Sequence, residues 1–133
     1  MKFKVIKIWV YQIRYKNKKG KANTMKIQTV SIIGLGALGI LFGNLLSKKM
    51  QGNDLRIIAD KNRIERYERN LVYCNGETCN FQYITPDTKC EPADLVIFCV
   101  KSKDLKSAIE AAKNQVGDHT IILSALNGIS SEE

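Results

Sequence analysis

Gly34-Leu35-Gly36-Ala37-Leu38-Gly39 reads G-x-G-x-x-G and carries the most specific chemical pattern in the chain. Glycines at these spacings suit a backbone that leaves a strand in a tight turn, meets a phosphate and opens a helix. Gly34 would permit the turn. Gly36 would remove a Cβ where a pyrophosphate approaches the backbone. Gly39 would let the helix pack close to the sheet, and Gly43, one turn later, would do likewise. The helix start would present free N–H groups and about half a positive charge to the anion. Asp60 lies 21 residues after Gly39. Its carboxylate could accept hydrogen bonds from ribose hydroxyls, which completes the pattern of a dinucleotide site. The competing reading is a glycine-rich helix start with an unrelated surface Asp.

Two further side chains stand where open α/β sheets bind ligands, just after strands. Lys101 follows a strand predicted over 95–100, and its cation could touch phosphate or hold the rim of a cleft. Asn127-Gly128 follows a strand predicted over 120–126, and the amide could orient a carbonyl or carboxamide. A solvated Lys and a plain turn are the bland alternatives. The four cysteines, Cys74, Cys79, Cys90 and Cys99, form no C-x₂-C pair. Cys74 and Cys79 flank a turn and could face one another, but zinc would need two more ligands. Packed thiols are expected, with no metal. His119, the single histidine, reads as a surface residue at a turn.

These residues need elements to position them. Residues 26–33 end in Val30-Ser31-Ile32-Ile33, a short apolar run that reads as a buried parallel strand. Leu38, Leu41, Phe42, Leu45 and Leu46 follow at helical spacing as one apolar stripe, with Lys48 and Lys49 in the last turn and Gly52 as a stop. A strand is predicted over 55–59 and a helix over 61–70, on Ile64, Tyr67 and Leu71. Val72-Tyr73-Cys74, the Asn75-Gly76 turn and residues 79–84 read as a β-hairpin, since Asn-Gly suits a type I′ turn. Beyond the 95–100 strand, Leu105, Ala108, Ile109, Ala112 and Val116 repeat the helical period. Ser130 and Glu133 have capping-box spacing, as if a further helix began there. The alternation predicts a right-handed, doubly wound parallel α/β sheet of Rossmann type with a small hairpin insertion.

Composition bounds the rest. Of 21 Lys and Arg, eight lie in residues 1–24, which hold none of the 13 acids. Residues 25–133 therefore carry 13 charges of each sign. A net-neutral body lacks the basic face a nucleic-acid reader needs, so no nucleic-acid partner is expected; the leader alone motivates one. No apolar run is long enough for a membrane span, and no secretion signal is evident, so free thiols in a cytoplasmic setting are expected. Residues 1–24 read as a basic extension that is disordered or not translated. Lys19-Gly20-Lys21 must be encoded by a purine-rich run, and Ala22-Asn23-Thr24 place nine nucleotides between it and the Met25 codon, the layout of a bacterial ribosome-binding site. Translation from Met25 is the expectation.

Residues 25–133 resemble the N-terminal domain of ketopantoate reductases (2-dehydropantoate 2-reductases). The resemblance rests on Ile33-Gly34-Leu35-Gly36-Ala37-Leu38-Gly39, on Val100-Lys101-Ser102 with the helix after it, and on Leu126-Asn127-Gly128-Ile129 leading into Glu132-Glu133. It implies reduction of the 2-keto acid ketopantoate to pantoate with NADPH or NADH, on the route to pantothenate and coenzyme A. It implies cofactor contacts from Gly34, Leu35, Gly36, Ala37, Leu38, Gly39 and Lys101, with Asn127 beside the nicotinamide and substrate, and a homodimer as one form of the full-length enzyme. The family's proton-donating Lys and substrate-binding Glu belong to a C-terminal helical domain outside these 133 residues. Cofactor binding without turnover is therefore expected, with no catalytic residue in this stretch. NADPH-preferring members often carry Arg just after the second strand. Asp60 stands there instead, with Lys61 and Arg63 near enough to offset it, so the expectation leans to NADH. A nucleotide-sensing module and a methyltransferase are the rival readings, and Lys101 and Asn127 speak against both through the resemblance.

Overall fold

The computed structural model describes residues 7–9, 12–16 and 19–125. Three strands, β1 (Lys7–Trp9), β2 (Gln12–Lys16) and β3 (Ala22–Lys26), pair as an antiparallel meander. The leader that the sequence reads as disordered or untranslated contributes these strand segments. Gln12-Ile13-Arg14-Tyr15-Lys16 alternates polar and apolar types at the strand period, and Gly20 turns the chain at φ 76°. A lysine-rich composition masked that alternation.

The chain then runs through β4 (Val30–Ile33), α1 (Ala37–Ser47), β5 (Leu55–Ile58), α2 (Lys61–Asn70), β6 (Val72–Cys74), β7 (Glu77–Cys79), β8 (Tyr83–Ile84), β9 (Leu95–Phe98), α3 (Leu105–Ala111) and β10 (Ile121–Ser124). Five of these strands form one parallel sheet in the order β10-β9-β4-β5-β8. This is the Rossmann order: the chain winds outward from β4 through β5 to β8, then crosses back to β9 and β10. The reversal falls between β4 and β9.

Every residue of β4, β5 and β9 is buried, because helices cover both faces. Alternation divides them. Val30, Ile32, Leu55, Ile57, Leu95 and Ile97 form one core with Phe42 and Leu46 of α1 and Tyr67 of α2. Ile33, Ile58, Val96 and Phe98 form the other with Ala108 and Ala112. Fully burying such side chains contributes roughly 1.5–3 kcal/mol each. The second face also holds a buried polar cluster. Ser31 Oγ donates to Gln115 Oε1 at 2.7 Å, and Arg56 Nη1 donates to the same oxygen at 2.9 Å and to the Glu91 carbonyl at 2.8 Å. Arg56 Nε donates to the Asn53 carbonyl at 2.9 Å. Oxygen acceptors for Nε and Nη1 offset the cost of burying this guanidinium, which pairs with no carboxylate among the described residues.

Two expectations change. The leucine stripe of α1 does not face the core as a unit: Leu38, Leu41 and Leu45 are 42, 41 and 54% exposed, while Gly39, Gly43 and Asn44 are buried. The glycines let the helix backbone approach the sheet, so the closest face is the one with the least side chain. A Cβ on Gly43 would lie 2.9 Å from the Phe81 ring. Hydrophobic periodicity cannot weigh a residue that has no side chain. The hairpin also closes sooner than expected. Asn75 and Gly76 both adopt positive φ, 51° and 82°, and a two-residue turn of this kind pairs their immediate neighbours, Cys74 and Glu77. Cys79 therefore stands opposite Val72, and residues 83–84 become an edge strand beside β5. No helix among the described residues is long and apolar enough to cross a membrane.

Candidate dinucleotide-binding cleft

The carboxyl ends of β4, β5 and β9 meet at the strand-order reversal, where the sheet leaves a crevice. The turn from β4 into α1 is built by its glycines. Gly34 sits at φ 102°, and a Cβ there would lie 2.5 Å from the Cys99 carbonyl oxygen. A Cβ on Gly39 would collide with the Gly34 carbonyl oxygen and come within 3.4 Å of Cys99 Cβ. These two glycines lock the turn onto the neighbouring strand.

Gly36 differs. Its backbone is extended, at φ −80° and ψ −166°, and a Cβ would meet nothing within 4 Å. Among the described glycines it alone has neither positive φ nor a protein atom in the way. Folding gives no reason for glycine here. Gly36 is also the N-cap of α1, whose first turn has no side-chain cap and no acid. The first helical bond runs from Ile40 N–H to the Gly36 carbonyl at 3.0 Å, so the N–H groups of Ala37, Leu38 and Gly39 have no acceptor among the described residues. This site fits an anionic group resting against bare backbone.

Beside the turn, Ile33, Ile58, Asp60, Arg63, Val100 and Pro86, with one face of α3, line a cleft of about 190 Å³. Asp60 stands two residues beyond β5 and caps α2, its Oδ1 accepting from Arg63 N–H at 2.8 Å, and its Oδ2 lies 3.4 Å from Arg63 Nε. Lys61 is exposed at the first residue of α2. Lys101 is exposed beyond β9, and its carbonyl accepts from Asp104 N–H at 2.9 Å, opening a short 3₁₀ turn. Leu35 packs partly against the first core, and Ala37 and Leu38 are exposed. Asn127 lies outside the described residues. Burial pushes the Cys99 thiol up to about 11, so it stays neutral beside the glycine turn at ordinary pH.

Sequence reasoning did not single out Pro86 or the α3 face made by Asp104, Ser107, Ala108 and Ala111. The signal for the latter was present: small residues at helical spacing on the side away from Leu105 and Ile109. Pro86 had no comparable signal; it is placed by a turn and by Asn114 Nδ2, which donates to its carbonyl at 3.0 Å. A wider depression of about 660 Å³, lined by Lys26–Thr29, Lys49–Gln51 and Asp54, lies at the amino ends of the strands. It is remote from the glycine turn, and α/β sheets of this order bind at the other end. The four cysteines are free, and the described residues contain no cluster suited to a metal ion.

A family model described as ketopantoate reductase PanE/ApbA matches residues 30–133. The chain belongs to the ketopantoate reductase family. The 2-dehydropantoate 2-reductase of Streptococcus pyogenes is 30% identical over 108 residues, covering 78% of this chain and 34% of the relative. The crystal structure of a PanE/ApbA family ketopantoate reductase from Ralstonia eutropha superposes with a TM-score of 0.58 at 29% identity, covering 76% of this chain and 35% of that one. D-mandelate dehydrogenase, solved with NADH, superposes with a TM-score of 0.58 at 25% identity, covering 78% and 33%. The chain thus spans about a third of the length of the relatives it matches. Membership in the ketopantoate reductase family sets aside the methyltransferase reading of the glycine turn.

Proposed function

We propose that residues 30–133 form the cofactor-binding part of an NAD(P)H-dependent reductase of a 2-keto acid, ketopantoate being the substrate the family implies. The observation that carries this is Gly36, a glycine the fold itself does not require, at the uncapped start of α1. In this reading the pyrophosphate rests on the N–H groups of Ala37, Leu38 and Gly39, with Gly36 leaving room for it and Gly34 and Gly39 holding the turn. Leu35 supports the turn from below. The adenosine lies in the cleft between Asp60 and α3, and the Asp60 carboxylate receives its ribose. Lys101, free of ion pairs among the described residues, supplies a cation at the cleft rim. Asn127 follows the fifth parallel strand of the same sheet and is assigned to the nicotinamide and substrate.

The dinucleotide, when bound, supplies the hydride. The chain's part is to hold it against the sheet and aim it. The proton for the product hydroxyl is assigned, by the family resemblance, to a helical domain in the rest of the protein.

NADH fluorescence titration of the 133-residue chain tests the binding half. Saturable quenching, with no competition from S-adenosylmethionine, is expected; absence of quenching sinks the reading. Ketopantoate-dependent NADH or NADPH oxidation by the chain joined to a family helical domain tests the enzymatic half. Binding without such activity would favour a nucleotide-sensing module instead.

A further inference from the structure

The last cross-strand row at the carboxyl end of the parallel sheet crosses all five strands. Register pairs Ile84 of β8 with Ile58, Ile58 with Ile33, Ile33 with Phe98 and Phe98 with Ser124. All stand on the face of the second core. Ile33, Ile58 and Phe98 belong to that core, Ile84 and Ile122 pack against it, and Ser124 follows Ile122 at the strand period. Ile33 and Ile58 also line the nucleotide cleft. The row therefore runs from the cleft to the end of β10, and Ser124 is its one polar member.

The fold makes no use of the Ser124 hydroxyl. The residue is partly buried, and Oγ is shielded from solvent with no hydrogen-bond partner among the described residues. No other buried side-chain oxygen or nitrogen among those residues is left in this state. Ser31 gives the contrast: it stands on the same face, two residues before Ile33, and its hydroxyl donates to Gln115 at 2.7 Å. A shielded hydroxyl without a partner destabilises the fold, and an apolar residue would remove that cost.

The course of the dinucleotide supplies a partner, an inference that rests on the site proposed above. There the pyrophosphate rests at the β4 turn and the adenosine lies on the β5 side. The second nucleoside then extends the other way, over the ends of β9 and β10, because the strand order reverses between β4 and β9. Ser124 ends β10. A nicotinamide carries a carboxamide, which both donates and accepts, and a hydroxyl can do both in return. We propose that Ser124 Oγ holds this carboxamide and so fixes the orientation of the nicotinamide ring at the end of β10. Rotation about its one side-chain bond moves the hydroxyl from its unpartnered place to the ligand.

The experiment is calorimetric titration of the full 133-residue chain with NADH and with ADP-ribose, which lacks the nicotinamide, alongside melting curves. Ser124→Ala should weaken NADH binding about threefold to tenfold, the scale of one hydrogen bond, and leave ADP-ribose binding unchanged. The ligand-free Ser124→Ala chain should melt at the same temperature or higher, since it loses only an unpartnered hydroxyl. Ser124→Thr keeps the hydroxyl and should restore most of the NADH affinity. No loss of NADH affinity in Ser124→Ala overturns the inference while the dinucleotide site stands. An equal loss for both ligands overturns it too, and so does a loss that Ser124→Thr does not restore. If the unaltered chain binds neither ligand, the dinucleotide site itself fails and this inference fails with it.

Discussion

The chain makes two strand-to-helix turns side by side on one edge of the sheet, and they are finished in opposite ways. The turn from β4 into α1 ends at a glycine, with no side-chain cap and no acid in the first turn. The turn from β5 into α2 ends at Asp60, whose carboxylate accepts the Arg63 N–H of the helix's first turn and faces the Arg63 side chain. The α2 helix thus meets one of its terminal N–H groups with a side chain of its own. The α1 helix leaves its own open, at the place where the strand order reverses. A glycine N-cap costs only a few tenths of a kcal/mol relative to a side-chain cap, so the fold tolerates the open terminus. The N–H groups left open at α1 suit an anion.

Several substitutions would break or sharpen this contrast. The largest effect is expected from Gly39→Val, which drives a side chain into the Gly34 carbonyl and the Cys99 side chain. Loss of about 3 kcal/mol of stability should appear as a lower urea midpoint. Gly36→Asp converts the open turn into a copy of the closed one. Its backbone suits any residue and its Cβ meets nothing, so stability should hold or rise by a few tenths of a kcal/mol. NADH affinity should nevertheless fall about tenfold or more, because the new carboxylate takes the helix N–H groups and repels phosphate. Unchanged affinity would remove the argument from Gly36. Asp60→Ala should cost about 1 kcal/mol in thermal or urea unfolding, whereas Asp60→Asn should cost almost nothing.

The smallest effect concerns pH. Burial raises the Cys99 thiol from 9.0 to about 11 and the Tyr83 hydroxyl from 10.0 to about 12. The unfolded groups lose their protons first, so between pH 9 and 12 the unfolded chain binds fewer protons than the folded one. Stability must then fall as pH rises through that window. Cys99→Ala should flatten the part of the decline between 9 and 11, read from melting temperatures across the range.

Much of this arrangement was legible in the sequence because it depends on local rules. The apolar runs ending at Gly34, near Asp60 and near Lys101 gave the central strands, and Lys61–Asn70 forms α2 as the spacing predicts. Asn75-Gly76 announced its turn through the need for positive φ. The failures are those of a one-dimensional pattern facing a three-dimensional contact. Nothing local says that Gly43 lies under Phe81 and so turns α1 by its glycine face, leaving Leu38, Leu41 and Leu45 outside. Nothing local says that Tyr83–Ile84 abandons the hairpin to pair with β5, which only a long-range register decides. At the site, the glycines and Asp60 were readable by type and spacing. That Asp60 caps α2 through the Arg63 N–H was not drawn from them, and Pro86 reaches the cleft only through tertiary structure.

Cys99 has a use beyond its proton. Its thiol is neutral at ordinary pH, and its backbone and Cβ close on Gly34 and Gly39. An alkylating reagent should label it slowly, because the thiol is neutral and only partly exposed. A ligand seated on that turn should slow the labelling further. The labelling rate of this cysteine would thus report whether the glycine turn is occupied, readable by mass spectrometry with no label added in advance.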